Sequence, residues 1–96
     1  MSVLTIIARL KAKPGHEADL ERELSALLAP TRAEKGCIQY DMHRSHQDPG
    51  LFYFYENWES RELWNDHMKT PHITGFGAKQ GDLAESWELF EGEKVG

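Results

Sequence analysis

The chain has a single cysteine, Cys37, so no intrachain disulfide can form and packing alone must hold the fold. That suits a reducing compartment, and a cytoplasmic location is expected. No apolar run approaches the ~20 residues a membrane helix needs, so membrane insertion is not expected. The opening Met1-Ser2-Val3-Leu4 leads into a strand-like segment with no basic n-region or cleavage site. No Lys/Arg cluster occurs, and a net charge of −5 offers nothing to track a phosphate backbone, which argues against nucleic acid as a partner. Internal repeats, low-complexity segments, Gly-rich phosphate loops and nucleophile elbows are all missing. A 96-residue chain also leaves no room for a separate nucleotide-binding domain.

What remains is a globular composition, 40% hydrophobic and 10% aromatic, read as one domain over residues 1–96. So short a chain buries a limited share of its surface, and a second copy often completes the core. Val3 to Ala12 alternates, with Leu4, Ile6, Ala8, Leu10 and Ala12 on one side of a strand that Lys13-Pro14-Gly15 stops. From His16 the period becomes helical, carried by Leu20, Leu24, Leu27 and Leu28. Pro30 is expected to interrupt that helix and Gly36 to end it. Cys37 to His43 alternates again, with Ile38, Tyr40 and Met42 expected inward, and Ser45 to Gly50 reads as a polar turn.

Leu51 to Trp58 is a strand with apolar side chains on both faces. Phe52, Phe54, Glu56 and Trp58 share one face; Leu51, Tyr53, Tyr55 and Asn57 share the other. Such a strand is expected to be covered on both sides, by the chain's own helices and by a second subunit. Ser60 is an N-cap for a helix with Leu63, Trp64, His67 and Met68 on one face, and Thr70-Pro71 starts a further, short helix carrying Ile73 and Phe76 inward. Ser86 to Phe90 is the last strand. The order β-α-β-β-α-β predicts an α+β, ferredoxin-like split β-α-β fold: a four-stranded antiparallel sheet with helices on one face. Back-to-back homodimerisation is the simplest cover for the bare face.

The chemistry concentrates between Tyr40 and Phe76. Glu56 follows Phe52-Tyr53-Phe54-Tyr55, and burial there raises a carboxyl pKa. It serves either as a base or hydrogen-bond partner of a substrate or histidine, or as a cap or Arg partner at the strand exit. His67 on an apolar helix face is a core histidine or, with Glu56 and His72 nearby, a catalytic one. His72 lies beside a helix N-terminus, which favours the neutral imidazole that can act as a base. Trp58 offers a flat surface for stacking on an aromatic ligand or for core packing, and Trp64 reads as core. No metal site is expected, since neither His43-x-x-His46 nor the His67/His72 spacing matches a zinc pattern. Cys37 reads as a structural thiol.

These residues resemble the antibiotic biosynthesis monooxygenase family, in particular its small quinol monooxygenase-like members. The resemblance runs through Lys13-Pro14-Gly15-His16-Glu17 and Glu34-Lys35-Gly36-Cys37-Ile38-Gln39-Tyr40-Asp41. It continues in Phe52-Tyr53-Phe54-Tyr55-Glu56-Asn57-Trp58 and His67-x-x-Thr70-Pro71-His72. It implies a dimeric α/β barrel-type assembly and oxidation of a small quinol or polycyclic phenol by dioxygen, with no cofactor. On that basis His67 or His72 is base or donor, and Glu56 orients an imidazole or the substrate. Trp58 stacks on the ring, Tyr40 lends a hydrogen bond, and Phe54 and Phe76 wall the substrate. A haem-degrading branch shares the Trp but needs an Asn where Ile7-Ala8-Arg9 stands and a His within Thr74-Gly75-Phe76-Gly77. Two alternatives stay open. One is isomerisation of a phosphorylated quorum-sensing sugar derivative, with Arg9, Lys11 and Arg44 as phosphate candidates; the other is a non-catalytic, stress-associated binding module.

Overall fold

The computed structural model describes residues 3–96; Met1 and Ser2 lie outside the described residues. Four strands, β1 (Leu4–Ala12), β2 (Cys37–Arg44), β3 (Leu51–Trp58) and β4 (Ala84–Gly92), form one sheet in the order β2-β3-β1-β4. All neighbours are antiparallel. With β3 inserted between β1 and β2, this is the expected split β-α-β arrangement. Helices α1 (Glu17–Ser25) and α2 (Leu28–Arg32) connect β1 to β2, while α3 (Arg61–His67) and α4 (Pro71–Leu83) connect β3 to β4.

The alternation in β1 and β3 sets the core. Leu4, Ile6, Ala8, Leu10 and Ala12 are buried with Phe52, Phe54, Glu56 and Trp58 on the helix side. Leu20, Leu24 and Leu27 pack down onto them. The other side of the sheet leaves Tyr53 and Tyr55 each 39% exposed, and Phe90 55%. A polar row crosses it, where Thr5 Oγ1 donates to Asn57 Oδ1 at 2.7 Å and Asn57 Nδ2 donates to Gln39 Oε1 at 2.9 Å.

Three local expectations need correction. The first helix breaks at Ala26-Leu27, ahead of Pro30, which sits inside the first turn of α2. A proline lacks the N–H an interior position needs but loses nothing in a first turn, where that N–H has no intrahelical partner. Ile38 points outward and is 53% exposed, because the β2–β3 register shifts between Cys37 and Gln39. The extra residue of this bulge leaves the alternation, and Cys37 takes the inward place beside Trp58. The last helix is not short: α4 runs 13 residues despite three glycines and meets β4 directly at Ala84.

Gly36 turns the chain from α2 into β2 at φ +90°, a conformation that disfavours a side chain. A Cβ there would stand 2.6 Å from Leu63 Cδ1 and 2.7 Å from Leu63 Cβ, so α3 packs against bare backbone. Ser60 caps α3 as expected, its hydroxyl accepting from the Leu63 N–H at 3.2 Å.

Candidate active site

A cavity of about 370 Å³ lies between the helix side of the sheet and α1, α3 and α4. Strand pairing explains its floor. Glu56 in β3 stands opposite both Ile6 and Tyr40, and Phe54 opposite Ala8 and Met42. Tyr40, Phe54, Glu56, His67 and Phe76 all line it, so five of the sequence candidates converge. At its mouth stand Trp87 and Leu89 of β4, which register with Leu10 and Ala8. No helix covers them: they are 53% and 48% exposed.

Trp58 departs from expectation. Its indole is completely buried and lines no part of the cavity, so it does not stack on a ligand there. Instead it lies beneath His67, ring centroids 4.5 Å apart, and its Nε1–H donates to Glu56 Oε1 at 3.0 Å. A strand residue one register step beyond Glu56, roofed by the end of α3, has no route to the cavity. Glu56 consequently holds no imidazole and caps no helix; its side-chain partner is Trp58.

The carboxylate that holds the imidazoles is Glu34, in the turn between α2 and β2. Its Oε2 accepts from His67 Nδ1–H at 2.8 Å and from His72 Nε2–H at 2.7 Å. Thr70, between the two histidines, donates its hydroxyl to the His67 carbonyl at 2.7 Å and fixes the α3–α4 corner. His72 touches Glu34 but does not line the cavity. Sequence reasoning missed Glu34, which lies 33 residues before His67. The one available signal was its place in the Glu34-Lys35-Gly36 block shared with the resembled family.

An ionised carboxylate only accepts, so Glu34 fixes His67 in the Nδ1–H tautomer and leaves Nε2 with its lone pair. Burial holds the His67 pKa below the ordinary imidazole value, against the opposing pull of Glu34, so the ring is neutral near pH 7. Glu56 is pushed up to about 7, chiefly by burial, with the Trp58 N–H pulling the other way and Glu34 adding repulsion. Tyr40 is raised well above the usual phenol value by burial and by Glu56, so its hydroxyl stays protonated. The set therefore offers a neutral base, a half-protonated acid and a phenol donor around an apolar chamber.

Residues 3–79 match the family model for the antibiotic biosynthesis monooxygenase domain, most of the chain. The chain belongs to the antibiotic biosynthesis monooxygenase family. The chain is 35% identical to Rv0793 of Mycobacterium tuberculosis, which has a provisional monooxygenase name, over 85% of this chain and 80% of that protein. It is 29% identical to the "Probable quinol monooxygenase YgiN" of Escherichia coli K12, over 86% of this chain and 90% of YgiN. The crystal structure of PA3566 from Pseudomonas aeruginosa superposes with a TM-score of 0.96 at 38% identity, covering all of this chain and 97% of that one. The Rv0793 structure superposes with a TM-score of 0.93.

Proposed function

We propose that the protein is a cofactor-independent monooxygenase that oxidises a small quinol or polycyclic phenol with dioxygen. The observation carrying this reading is the Glu34-held His67 at the wall of an apolar cavity that also contains Glu56 and Tyr40. His67 Nε2 takes the phenolic proton, and the resulting electron-rich anion itself reduces dioxygen. Carbon–oxygen bond formation gives a peroxide, which loses water to leave one oxygen atom on the ring. A quinol with one ring C–H plus dioxygen becomes a hydroxyquinone plus water, so the substrate supplies all the electrons and no external reductant is needed. Tyr40 and the protonated fraction of Glu56 donate hydrogen bonds to the developing oxyanion and peroxide. A chamber near the lower end of the roughly 300–1,000 Å³ typical of small-ligand sites suits a flat molecule of two or three rings.

A homodimer belongs to the same reading. The open sheet face presents Tyr53, Tyr55 and Phe90, and a second copy is its simplest cover. A cytoplasmic setting fits the lone Cys37. The phosphorylated-sugar isomerase finds less support. Lys11 is paired with Asp48 and Arg44 with Glu21, and of the three candidate cations Arg9 alone borders the cavity.

The test is oxygen uptake by metal-stripped protein with reduced naphthoquinols and anthrols, set against autoxidation, with isotopically labelled dioxygen and product mass. Uptake above the blank with one labelled atom in the product is expected. Thermal stabilisation by the same compounds without uptake would replace the enzyme with a binding module.

A further inference from the structure

Glu34, His67 and His72 bring three metal-ligating side chains together at the α3–α4 corner. Their donor atoms, one carboxylate oxygen and two imidazole nitrogens, all lie within 4.8 Å of one another. Among the described residues this is the one cluster of three such side chains. We propose that it is an inhibitory site for a borderline divalent transition metal, Zn²⁺ above all, whose binding silences the base. The inhibitory half rests on the monooxygenase reading; the binding half does not.

The donor set matches the metal. Two imidazoles and one carboxylate favour Zn²⁺, Ni²⁺ or Co²⁺ over Ca²⁺ and Mg²⁺, which take oxygen ligands. With zinc–ligand bonds of about 2.0–2.1 Å, donors around a tetrahedral ion sit about 3.3 Å apart. Glu34 Oε2 now lies 2.8 Å from His67 Nδ1 and 2.7 Å from His72 Nε2, and the whole set spans up to 4.8 Å, so an ion requires the carboxylate to draw back by about half an ångström and the two imidazoles to close by up to about 1.5 Å. The site is held on all sides. His67 ends α3, His72 lies in the first turn of α4, and Glu34 precedes the tight Gly36 turn. It is also reachable: the His72 and Glu34 side chains are 21% and 14% exposed, while His67 is 3%. An ion arriving beside His72 need not cross the cavity, and water would complete its coordination.

The consequence follows from the proton inventory. Today His67 carries its proton on Nδ1, facing Glu34. A metal on Nδ1 needs that lone pair, so the proton of the neutral ring moves to Nε2, the nitrogen that must be bare to accept the substrate proton. His72 makes the matching exchange from Nε2 to Nδ1. No net proton and no electron is lost, and yet the base has become a donor. Metal and turnover therefore exclude each other at one imidazole.

Calorimetric titration of Zn²⁺ into metal-stripped full-length protein tests the binding, with Co²⁺ as a visible-absorption reporter of tetrahedral coordination. We expect one equivalent per chain with intense Co²⁺ ligand-field bands. Both His72→Ala and Glu34→Gln should weaken binding by more than the roughly 10–100-fold that loss of a merely supporting partner costs. His46→Ala, in the exposed turn, should leave it unchanged. Wild-type oxygen uptake should fall in proportion to Zn²⁺ occupancy, and the residual uptake of His72→Ala should be insensitive to the same Zn²⁺. Undiminished binding in His72→Ala and Glu34→Gln overturns the site, as does a wild type that binds no Zn²⁺. Stoichiometric binding with full turnover overturns the inhibition. Stoichiometric binding lost in both variants upholds the site even if no quinol is oxidised, and that failure falls on the monooxygenase reading alone.

Discussion

Replacing Glu56 with glutamine should stabilise the protein at alkaline pH, by an amount that the buried site itself sets. Glu56 is 4% exposed, sits between Ile6 and Tyr40, and has the Trp58 N–H as its side-chain partner. Its pKa is about 7 in the folded protein against 4.5 for a free glutamate. Below pH 4.5 both states hold the proton and the group contributes no slope. Between 4.5 and 7 the unfolded chain releases it while the folded chain keeps it, so stability falls as pH rises. Above 7 both are ionised and the loss is complete. At about 1.4 kcal/mol per pH unit of separation, the loss is about 3 kcal/mol, a sizeable part of the roughly 5–15 kcal/mol that a small domain possesses. Glutamine is neutral throughout and keeps a carbonyl to accept from Trp58. His67 contributes the opposite slope, because its depressed pKa gives stability that is lost as pH falls below about 6.5. The difference between wild type and Glu56→Gln removes that contribution. In urea melts at pH 5 and pH 8, the variant should gain about 2–3 kcal/mol on wild type over this interval, or more than 10 °C in Tm. Parallel stability curves for the two proteins would refute the burial of an ionising carboxyl at this position.

Glu34→Ala should lower kcat/KM for the best quinol by about 10²–10³, within the range that general base catalysis supplies, since neither imidazole then has the acceptor that fixes its tautomer. Steady-state oxygen uptake reads this, and a change below twofold would remove Glu34 from the mechanism. The acid limb of the wild-type kcat/KM profile should have its midpoint below 6.5, because burial depresses His67; a midpoint at 7 or above would identify another base. Gly36→Ala should cost about 2–4 kcal/mol, from the left-handed backbone and the overlap with Leu63 together, and a Tm within 2 °C of wild type would contradict the described turn.

The parts of this structure legible in the sequence are those governed by short-range pattern. Alternation in Val3–Ala12 and Leu51–Trp58 gave the two central strands and their buried sides, and Ser60 and Thr70-Pro71 marked helix starts that the structure contains. Ile38 was misread because a bulge is a pairing event between two strands, invisible in either alone. The same holds for the site. Glu56, His67, Tyr40, Phe54 and Phe76 were identifiable from their faces, and they meet at the cavity. Glu34 occupies a polar turn with no periodicity, and only the return of α3 and α4 over β2 gives it two imidazoles. Trp58 was assigned to a ligand because its size suggests stacking; the depth of its burial depends on how α3 lands.

The edge strand β4 has a consequence of its own. Apart from Ala84 and a half-covered Gly92, every one of its side chains is exposed, yet Trp87 and Leu89 form the cavity's mouth. Residues that shape the opening are thus separate from residues that hold the fold, and substitutions at exposed positions usually change stability by less than about 0.5 kcal/mol. Rewriting β4 therefore changes which ligand the opening admits while Glu34 and His67 stay fixed. That separation identifies Trp87 and Leu89 as the positions at which a mutational library would redirect ligand choice.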